Sequence, residues 1–201
     1  MLLNKHNLAV VDAVSTNVAR IGLHHIHITG RYTEATNGHI AVRVSLPKVD
    51  TAGLGECELP SKGITIEADD IREIAKRLPK SKIIAIGEIK DDKVQIATDA
   101  SVMFARQGDA PYPNTDQIWP SGTPKHKVSI DLKKLEKLVK IMRKAMDDPN
   151  RDAAQVVQFE FQTNPATAIV VRGFKPDDGQ DVVGLIMPCR PAIDNTWSDI
   201  M

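Results

Sequence analysis

The stretch GITIEADDIREIAKRLPK, residues 63–80, carries two hydrophobic periods in succession. Ile64 and Ile66 alternate with polar neighbours over Gly63–Glu67, the pattern of a half-buried strand. After Asp69 and Asp70 the spacing becomes helical, with Ile71, Ile74, Ala75 and Leu78 on one side. Asp69 and Asp70 fall in the first turn, where the macrodipole favours acids. Pro79 disfavours helix in the residue before it, so the helix is expected to stop at Leu78. Strands follow at Ile83–Glu88, Lys93–Thr98 and Ser101–Arg106, with Asp91-Asp92 punctuating the first pair. A strand, a helix and then strands make one unit.

The same order recurs on either side. A helix is predicted over roughly Asn4 to Ser15, followed by extended stretches His24–Thr29 and His39–Leu46. Thr36-Asn37-Gly38 supplies a tight turn between them, because Asn-Gly tolerates positive φ. Tyr112, Pro113, Asn114, Pro120, Ser121, Gly122 and Pro124 mark a boundary. Beyond it come a strand Lys127–Ile130, a long helix near Asp131–Met146, and strands Val156–Gln162, Ala168–Arg172 and Val182–Met187. Asp177-Asp178-Gly179 reads as a hairpin turn, and residues 191–201 as an extended tail. Grouped strands separated by single helices argue for an α+β fold of antiparallel sheets with helices on one face. The organisation is therefore 1–118 with two units, 125–190 with a third, and the tail 191–201.

Charge is balanced overall and uneven locally. Lys plus Arg and Asp plus Glu both number 26, so any polyanion contact requires charge gathered on one face. At 100° per residue, Lys133, Lys137, Lys140 and Lys144 form one stripe. Leu132, Leu135, Val139, Met142 and Met146 form the opposite one, with Leu138 on its edge. Arg143 and Lys134 widen the basic face, and only Glu136 dilutes it. Like charges at these spacings repel, so helix stability does not call for them; phosphates facing the stripe would turn the cost into a gain. Arg72, Lys76 and Arg77, followed by Lys80, repeat the layout in short form, and Arg20 follows the first helix. The bland alternative for any one such helix is a solvated face.

Other chemistries find little purchase. Cys57 and Cys189 stand far apart without a CxxC partner, which fits a reducing, cytoplasmic setting. The apolar runs are too short to cross a bilayer, so no membrane contact is expected. His25 and His27 share a strand face, with His24 and His39 nearby, but no acid or cysteine accompanies them at ligand spacing. No metal or cofactor is expected. The sequence holds no Gly-rich phosphate loop, nucleophile elbow or HExxH, so no enzyme is read from it.

Three motifs in order carry a family resemblance. ELPSKGITIEADDIREIAKRLPK (58–80), YPNTDQIWP (112–120) and VVGLIMPCR (182–190) resemble segments of the bacterial DNA polymerase III beta subunit, the sliding clamp. Residues 21–120 resemble its first domain. The resemblance implies a DNA-clamp fold and a processivity factor that contacts duplex DNA non-specifically. On that reading Lys133, Lys137, Lys140, Arg143, Lys144, Arg72, Lys76, Arg77, Lys80 and Arg20 meet phosphate. Met187, Pro188 and Arg190 match the family ending beside a partner-peptide groove, with Cys189 in place of a methionine. The implied partners are double-stranded DNA, a DNA polymerase or clamp loader, and further copies of the chain. The family has three domains, and this sequence has room for about one and a half. It also enters its first helix almost at once, so no leading strand is expected there. The alternative reading is a clamp-fold protein-binding module that regulates or mimics a replication clamp without encircling DNA.

Overall fold

The computed structural model describes residues 1–17, 19–47, 60, 62–78, 83–98, 101–120, 127–146, 155–164, 166–175 and 180–189. It is an α+β structure that divides into two compact units, Met1–Pro120 and Ser121–Thr196.

The first unit opens with a strand, β1 (Leu2–Asn4), and a short helix, α1 (Lys5–Leu8). Asn4 starts the helix: its side chain accepts from the backbone N–H of His6 and Asn7, and Asn7 accepts in return from the Asn4 N–H. A 3-10 segment, Ala9–Ala13, continues the chain. Two sequence expectations are corrected here. A leading strand is present, and the single helix over Asn4–Ser15 is instead one α-turn followed by 3-10 geometry. Val10, Val11 and Val14 are β-branched and buried, so core packing outweighs the helical propensity they lack.

Next come β2 (His25–Ile28), β3 (Tyr32–Thr36), β4 (Ala41–Ser45), β5 (Ile64–Glu67) and α2 (Ala68–Arg77). The unit closes with β6 (Ile83–Lys90), β7 (Lys93–Ala97) and β8 (Val102–Arg106). Sequence reading did not see β3, because all five of its residues are buried, polar ones included, and alternation disappears. The turns behave as their residues require, with φ of 51° and 57° at Asp91 and Asp92 and 88° at Gly38.

The two sheets have the orders β4-β3-β2-β5 and β1-β6-β7-β8, antiparallel throughout. Each half therefore lends its leading strand to the other's sheet. Leu3 pairs with Ile84, and Ile64 and Ile66 pair with Ile28 and Ile26. These residues join Leu8, Ile71, Ile74 and Ile96 in one core shared by both halves.

A buried polar network ties the segment after β8 to the first sheet. Glu34 accepts from Arg43 Nε at 2.8 Å and from Thr115 Oγ1 at 2.7 Å, and its other oxygen lies 2.8 Å from His27 Nδ1. Arg43 Nη2 also donates to Thr115 Oγ1 and Asp116, while its guanidinium lies 4.2 Å from the Tyr32 ring centroid and 5.0 Å from that of Trp119. Tyr112 stacks on His27 at 4.7 Å. The YPNTDQIWP motif is thus a latch. Burial alone would raise the Glu34 pKa; bonds from His27, Thr115 and Arg43, with the Arg43 charge, outweigh it and hold it below the ordinary carboxylate value.

In the second unit the helix α3 (Leu132–Ala145) is capped by Asp131, which accepts from the Lys134 N–H at 3.1 Å. Strands β9 (Val157–Glu160), β10 (Ile169–Lys175) and β11 (Gln180–Ile186) form a sheet of order β11-β10-β9. The expected strand Lys127–Ile130 is not paired in this sheet; the Ser129 carbonyl accepts one bond, from Cys189 N–H at 2.9 Å. The turn at Asp177-Asp178-Gly179 and the tail 191–201 lie outside the described residues. Met142, Leu135 and Leu138 pack with Val171, Ile169 and Ile186. Gly184 lets α3 approach closely, since a Cβ there would stand 2.7 Å from Leu138 Cδ1. Leu132 and Val139, expected on the inward stripe, are exposed instead.

Three stability outcomes follow from the first unit. Leu3→Ala removes the anchor of β1 and should cost about 2–5 kcal/mol of unfolding free energy, measured by urea denaturation. Arg43→Met leaves the Glu34 carboxylate buried without its cation and should cost roughly 3–5 kcal/mol. Because the folded-state pKa of Glu34 is lowered, its contribution is complete above the ordinary carboxylate value near 4.5 and is lost as pH falls below it. In Glu34→Gln that part of the acid dependence should disappear from a pH series of denaturation curves.

Candidate nucleic-acid interface

The sheet fixes which way α3 presents its charges. With Leu135, Leu138, Met142 and Met146 turned inward, Lys133, Lys137, Lys140 and Lys144 come out on the opposite side and are all exposed. Lys134 and Arg143 flank them and are exposed as well. Over Leu132–Ala145 six cations face one acid, Glu136, which leaves a net charge of five. Glu136 accepts from Lys140 Nζ at 2.6 Å, and that bond holds its carboxyl below the usual range. Lys133, Lys137, Arg143 and Lys144 make no ion pair among the described residues. Lys133 to Lys144 spans roughly 16 Å along the axis, at about 1.5 Å per residue. The helix backbone spaces these ammonium groups along one line.

The other basic positions are built differently. Over Ala68–Arg77 the three cations Arg72, Lys76 and Arg77 meet three acids, Asp69, Asp70 and Glu73, so α2 is neutral. Asp69 pairs with Arg72 at 2.8 Å, and Glu73 pairs with Arg77. Asp70 accepts from the Arg106 side chain and backbone, bonds that lower its pKa. Lys76 alone of the three is exposed without an ion pair among the described residues. Arg20 donates from Nη1 to the Asn37 carbonyl at 2.8 Å and so clips the Asn37-Gly38 turn. Lys80 and Arg190 lie outside the described residues. Met187 is exposed just after β11, and Pro188 is half-buried. No helix among the described residues is long and apolar enough to cross a membrane.

The histidines carry a correction. Acids do accompany them, but from distant parts of the chain. His25 Nε2 lies 3.0 Å from Glu67 Oε1, and one ligand atom each from His25, Glu67 and Asp109 fall within 4.8 Å of one another. The strand register that pairs His25 with Glu67 brings this about. His27 bonds Glu34 instead, so His25 and His27 do not act as a pair despite sharing a strand face.

No family model matches the sequence, and no curated protein matches it. Solved structures do match in fold. A DNA polymerase III beta chain from Streptococcus pneumoniae superposes with a TM-score of 0.67 at 16% identity, covering 94% of this chain and 49% of that one. The DNA polymerase sliding clamp of Bacillus subtilis gives 0.63 at 17% identity, with 94% and 48% covered. That of Pseudomonas aeruginosa gives 0.63 at 12% identity, with 94% and 50% covered. The chain spans about half the length of the clamps it matches. Helices set against antiparallel sheets, repeated along the sequence, give this chain the fold of the DNA polymerase III beta sliding clamp.

Proposed function

We propose that this chain is a sliding-clamp-type processivity factor that contacts duplex DNA non-specifically through α3 and tethers a DNA polymerase. The observation that carries the reading is the row Lys133, Lys137, Lys140 and Lys144, exposed on a helix of net charge five whose other face is fixed by a sheet. Such a row gains free energy by displacing counterions from phosphates, and the lack of base contacts lets the contact move along the duplex. Lys76 and Arg20, in the first unit, are weaker candidates for contacts of the same kind. Arg72 and Arg77 contribute only after leaving their own acids, a rearrangement that surface ion pairs allow at about 0–1 kcal/mol. The role is one of binding and tethering, not catalysis. Met187, Pro188 and Arg190 are the residues assigned to receiving a peptide from the polymerase or a clamp loader; exposure of Met187 supports this.

The test is the salt dependence of binding to long duplex DNA, read by fluorescence anisotropy on the full chain. The triple variant Lys133→Ala, Lys137→Ala, Lys144→Ala should bind more weakly at every salt concentration. Its slope of log affinity against log salt should shrink by about three, near 0.9 per lost phosphate contact. Its thermal unfolding should be unchanged, because all three side chains are exposed. Equal slopes for variant and parent, or a parent that does not bind duplex DNA, would contradict the reading.

A further inference from the structure

Three parts of the first unit bring an imidazole nitrogen and two carboxylates to one point. His25, in β2, lies across the ladder from Glu67, the last residue of β5, and its Nε2 is 3.0 Å from Glu67 Oε1. The segment after β8 supplies the third group. Gly108 is bound twice to β5: its N–H donates to the Thr65 carbonyl at 3.0 Å, and Thr65 Oγ1 donates to its carbonyl at 3.1 Å. A Cβ on Gly108 would stand 2.6 Å from His25 Cδ2 and 2.8 Å from Nε2, so only glycine lets the chain pass this close to the imidazole edge. Asp109 follows it and reaches the same point. One ligand atom each from His25, Glu67 and Asp109 lie within 4.8 Å of one another.

The donor atoms at this point are largely uncommitted. His25 is 1% exposed, so packing fixes its ring, and Nε2 makes its one polar side-chain contact. Its Nδ1 is buried without a partner. With Nε2–H donating to Glu67 the bare Nδ1 is unpaired, and with the proton moved to Nδ1 that atom is unpaired still. Freeing the Nε2 lone pair therefore costs only the bond to Glu67. Glu67 has no other side-chain partner among the described residues, and Asp109 has none. Glu67 precedes α2 without capping it. Arg106, a cation whose charge reaches Glu67, is taken up by Asp70 through its backbone N–H, Nε and Nη2.

We propose that His25 Nε2, Glu67 and Asp109 hold a divalent transition-metal ion of the zinc class, with water completing its coordination. One imidazole beside two carboxylates suits zinc or cobalt, whereas magnesium and calcium take oxygen ligands. Zinc bonds of about 2.0–2.2 Å in a tetrahedral array hold neighbouring ligand atoms roughly 3.3 Å apart. The His25–Glu67 separation of 3.0 Å is close to that, and the exposed Asp109 carboxylate closes on it by rotation. The two carboxylates balance the charge of the ion, and the buried imidazole fixes its direction of approach. An ion held there cross-links β2, the start of α2 and the exit of β8, and so stabilises the first unit as it binds. The site needs neither DNA nor α3.

The test is a zinc titration of the full chain carrying isotope-labelled histidine, read by NMR of the imidazole nitrogens together with the thermal unfolding midpoint. Zinc should move the His25 Nε2 resonance, leave the ring proton on Nδ1 and raise the midpoint, and EDTA should reverse all three. Magnesium at the same concentration should produce none of these changes. Asp109→Ala, at an exposed position, should fold as the parent does and bind zinc at His25 about tenfold or more weakly, the least that loss of a partner at a metal site costs. Zinc held elsewhere, as at the exposed Cys189, leaves the His25 resonance where it was. An unmoved His25 signal with zinc in excess over the chain, or an Asp109→Ala response equal to that of the parent, would overturn the proposal.

Discussion

A strand that starts one half of the fold and finishes the sheet of the other half is the constraint on which this structure depends. β1 completes the sheet of β6, and β5 completes that of β2, so neither half is closed alone. The exchange satisfies backbone donors and acceptors that an open edge would leave to solvent or to another chain. It also brings Leu3, Ile64 and Ile66 into a core that neither half could build separately. The latch of Glu34, Arg43 and Thr115 then holds the closing segment down. Its carboxylate is stable in the interior only because a cation, a hydroxyl and an imidazole converge on it.

The basic row is a product of that same architecture. A helix lying on a sheet has one face committed to packing, and its remaining residues are free to vary. On α2 they vary toward neutrality, since each arginine finds an acid one turn away. On α3 the acids are gone except Glu136, and the charges remain available. Fold and function part company here. The clamp architecture sets where a helix lies, while the residues on its outer face decide whether it attracts a polyanion.

How much of this the sequence disclosed depends on the length and regularity of each element. α3 is long and strictly periodic, and its limits were legible to within a residue, as was the strand-to-helix change over β5 and α2. β1 is three residues long and runs into a helix cap, too short to show alternation. β3 hides because Thr33, Glu34 and Thr36 are polar and buried: Thr33 and Glu34 bond Asn7 and Thr115 far along the chain, and Thr36 bonds the Ile40 carbonyl across the turn. YPNTDQIWP was legible as a signature but not as a latch, because its partners Glu34 and Arg43 lie some 70–80 residues earlier. The neutrality of α2 was within reach: Asp69 and Arg72 at i,i+3, and Glu73 and Arg77 at i,i+4, are the spacings that pair on a helix. The exposure of Leu132 and Val139 was not, since periodicity gives a face but not what covers it.

Exchange of leading strands is the central claim, and amide hydrogen exchange reads it residue by residue. If leading strands complete neighbouring sheets, the amides of β1 and β5 exchange as slowly as those of the β6 and β2 strands they pair with, and Leu3→Ala speeds exchange in β6 as well as in β1. Fast exchange throughout β1, beside slow exchange in β6 that Leu3→Ala leaves unchanged, would contradict it.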